Sequence, residues 1–151
     1  MSVRDRLAEL GLTLPAPVAP LGSYLPAVRT GDLVYTSGQV PVVDGAVVAT
    51  GKVGAEVSVA DAAGYARICA LNALAAVDAL VGLDAVRRVV KVVGFVASAP
   101  GFADQPQVVN GASDLLGEVF GEAGRHARSA VGVAELPRNV PVEVELVVEV
   151  S

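Results

Sequence analysis

The chain has 151 residues, 53% of them hydrophobic and 18% charged, with a formal net charge of −5. This length suits one domain with a real core, and an acidic chain without a basic stripe or stacking aromatics argues against a nucleic-acid partner. One cysteine and one histidine exclude a protein-only zinc site and an internal disulfide; no apolar run is expected to span a bilayer, and no signal-peptide core follows Met1, so a cytoplasmic location is expected.

Residues 3–10 read as a short charged amphipathic helix or turn. Pro15, Pro17 and Pro20 then predict an extended run over the surface. Residues 1–19 are thus expected to form an extension packed on a single domain of 20–151. Residues 24–28 and 33–37 read as strands of β-branched and aromatic residues, joined by a turn at Thr30-Gly31-Asp32. Ser37-Gly38-Gln39 breaks the pattern and suits a β-bulge, whose freed backbone N–H groups can bind a ligand. Asp44-Gly45 between two apolar runs is a hairpin signal. Ser58 is placed as an N-cap, with Asp61 at the capping-box position, for a helix to about residue 80 that ends near Gly82. Residues 84–88 read as a helical turn and 89–96 as a strand. Ala99-Pro100-Gly101 opens a loop through Phe102 and Pro106. A second helix is predicted over 107–120, stopping at 121–124. Residues 127–150 read as a closing hairpin about Glu135–Asn139.

The first long helix carries only Asp61, Arg67 and Asp78 as charges, so it must pack broadly on the sheet. Val89-Val90, Val92-Val93 and Val147-Val148 need cover on both faces. Two helices cover only one face. The other is expected to meet a second copy, making a homo-oligomer with an α+β subunit.

Arg128 lies within a small, β-leaning stretch read as a buried strand. A guanidinium there is costly without a partner, and its planar fork suits a carboxylate. Two readings stand: an internal pair with Glu143 or Glu145, or a pocket for a small carboxylate-bearing molecule. Tyr24 and Tyr35 suit half-buried strand aromatics as well as site residues. Phe102 is a loop anchor or a pocket wall. Cys69 reads as a small buried hydrophobe, and His126 as a strand-edge residue.

Tyr24, the run Gly31 to Pro41, Ala70-Leu71-Asn72, Lys91, Ala127-Arg128-Ser129, Leu136-Pro137 and Val142 to Glu145 together resemble the RidA (YjgF/YER057c/UK114) family, in its longer, endoribonuclease-like branch. The resemblance covers residue 20 to the C-terminus. It implies a chorismate-mutase-like fold of bacterial type: a mixed sheet with two helices on one face, closed into a trimeric barrel. It further implies a homotrimer with clefts between subunits and an imine/enamine deaminase acting on 2-aminoacrylate-type intermediates. In the carry-over Arg128 holds the substrate carboxylate and Glu143 positions the water. Tyr24, Gly38 and Phe102 line the cleft, and Ala130 contributes its backbone. Such chemistry calls for no metal and no cofactor, because the imine is already electrophilic. The chain has Ser23 and Ala130 where many members have proline and cysteine, and a longer 102–110 loop. A non-catalytic carboxylate-binding trimer is the alternative, with an endoribonuclease the distant third.

Overall fold

The computed structural model describes residues 1–151. Its first helix, α1 (Val3–Glu9), starts in a capping box: Ser2 accepts from Asp5 N–H, and the Asp5 carboxylate accepts from Ser2 N–H. Leu7 enters the main core, while Arg4 pairs with Asp78 and the Arg6 Nε–H donates to the Glu118 carbonyl. The helix thus lies on the outside of the two long helices.

Strands β1 (Ala27–Thr30) and β2 (Leu33–Thr36) form an antiparallel hairpin, and β3 (Val42–Val43) and β4 (Ala46–Val47) a smaller one. The first strand begins later than its composition suggests. Leu21 N–H donates to the Tyr24 hydroxyl at 3.0 Å and Tyr24 N–H to the Gly22 carbonyl, closing a turn instead of extending the strand. Helix α2 (Val59–Val81) is capped by Ser58 and ends at Gly82. Strand β5 (Val86–Ala97) follows, then α3 (Gln105–Phe120), β6 (Ala127–Val133) and β7 (Val142–Val150). Helix α3 takes Pro106 into its first turn, where a missing N–H costs nothing.

The five-stranded sheet has the order β1-β2-β7-β5-β6. Strand β5 lies parallel to β6 and antiparallel to β7. The expected closing hairpin is therefore corrected: β6 and β7 follow one another in sequence but β5 runs between them. The segment taken for a hairpin turn, Pro137–Asn139, is a short 3-10 turn with Arg138 and Asn139 at φ of 57° and 58°. Strand β5 takes the inner place because it is long and apolar along both faces.

Both long helices cover one face. They cross closely enough that a Cβ on Gly111 would sit 1.9 Å from the Ala63 carbonyl oxygen. Between helices and sheet lie Leu74, Leu83, Leu115, Leu116 and Leu146, all fully buried. By length and composition α2 would suffice to cross a membrane, which corrects the expectation that no run would. Here it is the core helix, with ten residues from Ala62 to Val77 buried. The other sheet face carries Val28 and Tyr35 in one row with Val147 and Lys91, and Val131 in another with Phe95 and Glu143. Val28, Tyr35 and Val131 are exposed on it.

Candidate functional site

Arg128 stands on β6 level with Val92, which is itself level with Leu146. Laterally paired residues share a face, so Arg128 points to the helix side. There α3 passes over it. The guanidinium Nη1 donates to Asn110 Oδ1 at 2.7 Å and to Ser113 Oγ at 3.2 Å, and Nη2 donates to the Pro106 carbonyl at 3.4 Å. Positions 106, 110 and 113 fall on one face of a helix. All three acceptors are neutral, and no carboxylate lies within ion-pair distance of Arg128 among the salt bridges of the chain. The internal Arg–Glu pair is thereby overturned: Glu143 and Glu145 stand on β7, two strands away. The buried-strand reading is also corrected, since β6 is an edge strand of part-exposed and exposed residues. The Nε–H makes no bond within the chain. The Nε–H, and one of the two Nη2 hydrogens, therefore remain available to an anion.

Glu143 lies on the opposite face. Along β7 the buried positions are Val142, Val144, Leu146, Val148 and Val150, and the glutamates alternate with them. The pairing of β2 with β7 breaks after Tyr35–Val147 and resumes at Gln39–Val144, with one residue more on the β2 side. This is the bulge read at Ser37-Gly38-Gln39. Thr36 fills the gap by accepting Leu146 N–H on its hydroxyl at 2.9 Å. The bulge lays the Gly38 backbone against the Glu143 carboxylate. A Cβ at position 38 would be 2.5 Å from Oε2, so any larger residue would push the Glu143 carboxylate aside. Desolvation, followed by the neighbouring charge of Glu145, holds the Glu143 carboxyl above its ordinary range. Desolvation also raises Glu145.

Tyr24, Gly38 and Glu143 share a cleft of about 220 Å³, whose walls include Val18, Pro26 and Arg138. The other singled-out residues lie elsewhere. Ala130 sits opposite Gly94 on β6, one pleat beyond Arg128 on the same face. Phe102 packs its ring on Gly54, where an added Cβ would come within 2.9 Å of Cδ1, and Phe102 is absent from the Glu143 cleft. Within the single chain it anchors the loop. Cys69 is fully buried, and burial pushes its thiol well up. No group of three His, Cys, Asp or Glu side chains converges to hold a metal ion.

One chain therefore carries two separate groups of candidate residues. Tyr24, Gly38 and Glu143 form one; Arg128, with Ala130, forms the other on the opposite face, with β5 between them. Asn110, Ser113 and His126, which surround or support Arg128, were not legible as site residues. Their only sequence signal is the spacing of 110 and 113 on one helix face, and that gains meaning once β6 is known to lie beneath it.

The chain is similar to known proteins over nearly its whole length. A family model described as "YjgF/chorismate_mutase-like, putative endoribonuclease" matches residues 4–150. Protein TCP17 of Trypanosoma cruzi is 46% identical over 99% of this chain and 94% of its own length. A protein of Dermatophagoides farinae named 2-iminobutanoate/2-iminopropanoate deaminase is 33% identical over 93% of this chain and 95% of its own. The crystal structure of Atu1372, a protein of unknown function from Agrobacterium tumefaciens, superposes with a TM-score of 0.92 and 48% identity, covering 99% of this chain and 92% of that one.

Proposed function

This chain belongs to the YjgF (RidA) family, and from that premise we propose that it is an imine/enamine deaminase that hydrolyses 2-aminoacrylate-type intermediates to 2-keto acids and ammonia. The observation that carries the reading is the Arg128 guanidinium. It is fixed on a strand by three neutral acceptors, has no carboxylate partner and keeps its Nε–H free. A positive charge held rigid and uncompensated is an anion site.

The reaction needs little else. The enamine takes a proton at its terminal carbon and becomes the imine. Water adds to the C=N carbon, a proton moves to nitrogen, and ammonia leaves the carbinolamine. Arg128 holds the carboxylate, which orients the C=N carbon. Glu143 holds the water and, when ionised, accepts its proton; a carboxyl raised by burial is better matched to that task than an ordinary one. Tyr24 and Gly38 enclose the cleft around Glu143.

A small substrate cannot reach both Arg128 and Glu143 of one chain through the sheet. The reading therefore includes a trimer in which Arg128 of one copy meets Glu143 of the next. The exposed apolar residues of the open face support such an assembly. A trimer that binds keto acids without turnover is the second reading, favoured by the same free donor.

The test is an assay on freshly generated enamine, following ammonia and keto acid. Wild-type protein should turn over, and Arg128→Ala should lose about 2–5 kcal/mol of substrate-carboxylate binding. Keto-acid binding without turnover of any enamine selects the binding trimer instead.

A further inference from the structure

Behind Arg128 lies a second group of polar side chains with a single direction. Ser113 Oγ, which accepts from Arg128 Nη1 at 3.2 Å, is 2.8 Å from His126 Nε2. On the far side of the ring, His126 Nδ1 is 2.6 Å from the Gly124 carbonyl oxygen. A carbonyl oxygen only accepts, so Nδ1 carries the ring hydrogen. In the neutral ring Nε2 is then a bare acceptor, and the Ser113 hydroxyl must donate to it. With its hydrogen committed to the imidazole, the Ser113 oxygen turns its lone pairs to the guanidinium. With the ring neutral, donors run one way: Arg128 to Ser113, Ser113 to His126, His126 to the backbone of Gly124.

We propose that His126, acting through Ser113, is a positioning residue for the carboxylate-binding arginine. This rests on the reading of Arg128 as the carboxylate anchor and deepens it. The chain of bonds starts at the last backbone carbonyl of a short 3-10 turn (Gly121–Gly124) and ends at the fork. It fixes the tautomer of the ring by a group that cannot rotate. A serine on a helix otherwise turns its hydroxyl to its own helix carbonyls; the imidazole draws it off them. The Asn110 bond at 2.7 Å holds one Nη1 hydrogen and the serine holds the other. Together they orient the guanidinium plane and leave the Nε–H without a partner in the chain. His126 touches no substrate in this arrangement, so its effect appears in how tightly a carboxylate is held, not in the chemical step.

The experiment uses the full-length protein, calorimetric binding of 2-oxobutanoate as a stable keto-acid probe, and steady-state deamination of fresh enamine. Ser113→Ala and His126→Phe should each weaken probe binding roughly three- to tenfold, the worth of one neutral hydrogen bond. KM should rise with kcat kept. The double variant should be no worse than either single one, because both cut the same chain of bonds. His126→Gln, which can present an acceptor where Nε2 stood, should restore most of the affinity. Unchanged binding in His126→Phe overturns the proposal. So do additive effects in the double variant, or a His126→Gln that stays as weak as His126→Phe while its thermal unfolding shows lost stability. Arg128→Ala separates the levels: if it keeps probe affinity, the carboxylate-anchor reading falls and the relay with it. If Arg128→Ala abolishes binding while His126→Phe leaves it intact, only the relay falls.

Discussion

Glu143 ionises against two costs, its own desolvation and the charge of Glu145 on the same face of β7. Its protonated form is favoured more in the folded chain than in the unfolded one. The stability it contributes is therefore fully present below the ordinary carboxylate range and is lost as pH rises through its raised folded value. Thermal unfolding from about pH 4 to about pH 8 should show wild type losing ground at the upper end against Glu143→Gln. For activity the same shift acts in the opposite sense, since the ionised form is the base. The acid limb of kcat/KM should lie above the ordinary carboxylate range, and Glu145→Gln should move it down by removing one of the causes. An acid limb indifferent to Glu145→Gln would detach the limb from Glu143. Glu143→Gln should lower kcat by about 10²–10⁴-fold with much smaller loss of keto-acid affinity. At this scale the sequence was informative for Arg128, Glu143 and Gly38, because an arginine in a β-leaning stretch and a glycine at a bulge are unusual enough to notice. It gave no sign of Ser113 and read His126 only as a strand-edge residue, since both are ordinary until a strand is laid under a helix.

At the scale of elements, local chemistry was legible and long-range pairing was not. Ser58 and Gly82 bound α2 because capping is settled within one turn of chain, and Asp44-Gly45 bends where both residues take positive φ. The misread hairpin has the opposite cause. Leu136-Pro137-Arg138-Asn139 has turn chemistry, and turn chemistry does not say whether the flanking strands pair or leave room for a third. The length and two-sided apolar character of β5 decide that, through contacts far apart in sequence. Helix packing gives a prediction in which one substitution has two signs. Gly64→Ala adds a methyl in open space on α2 and removes a helix-interior glycine, so it should stabilise by about 0.5–1 kcal/mol. Gly111→Ala gains the same propensity but drives its methyl into the Ala63 carbonyl, a backbone group that cannot rotate aside. The overpacking term should win, for a net loss of about 1–3 kcal/mol. Urea unfolding of both variants checks this; a stabilised Gly111→Ala would mean that the two helices pack less tightly than described.

For the whole molecule the deciding fact is that Arg128 and Glu143 lie on opposite faces of the sheet. Arg128 is held to the helix side by α3, and Glu143 is held to the open side by the alternation of β7 and the bulge at Gly38. No side-chain rotation joins them, because β5 stands between. If catalysis uses both, each site is shared, and the assembly is part of the mechanism. Light scattering at micromolar concentration should give three times the chain mass. Arg128→Ala and Glu143→Gln should each form that same trimer and each be nearly inactive. The two variants can then be unfolded together and refolded as a mixture. A copy carrying Arg128→Ala still supplies a good Glu143, and a copy carrying Glu143→Gln still supplies a good Arg128. Where a neighbouring pair brings the two good residues together, a complete site returns. Random assortment puts them together at roughly a quarter of the interfaces, so the mixture should recover roughly a quarter of wild-type activity. A mixture as inactive as its parents, from trimers shown by mass to contain both chains, would place Arg128 and Glu143 of each working site in the same chain and remove the shared cleft.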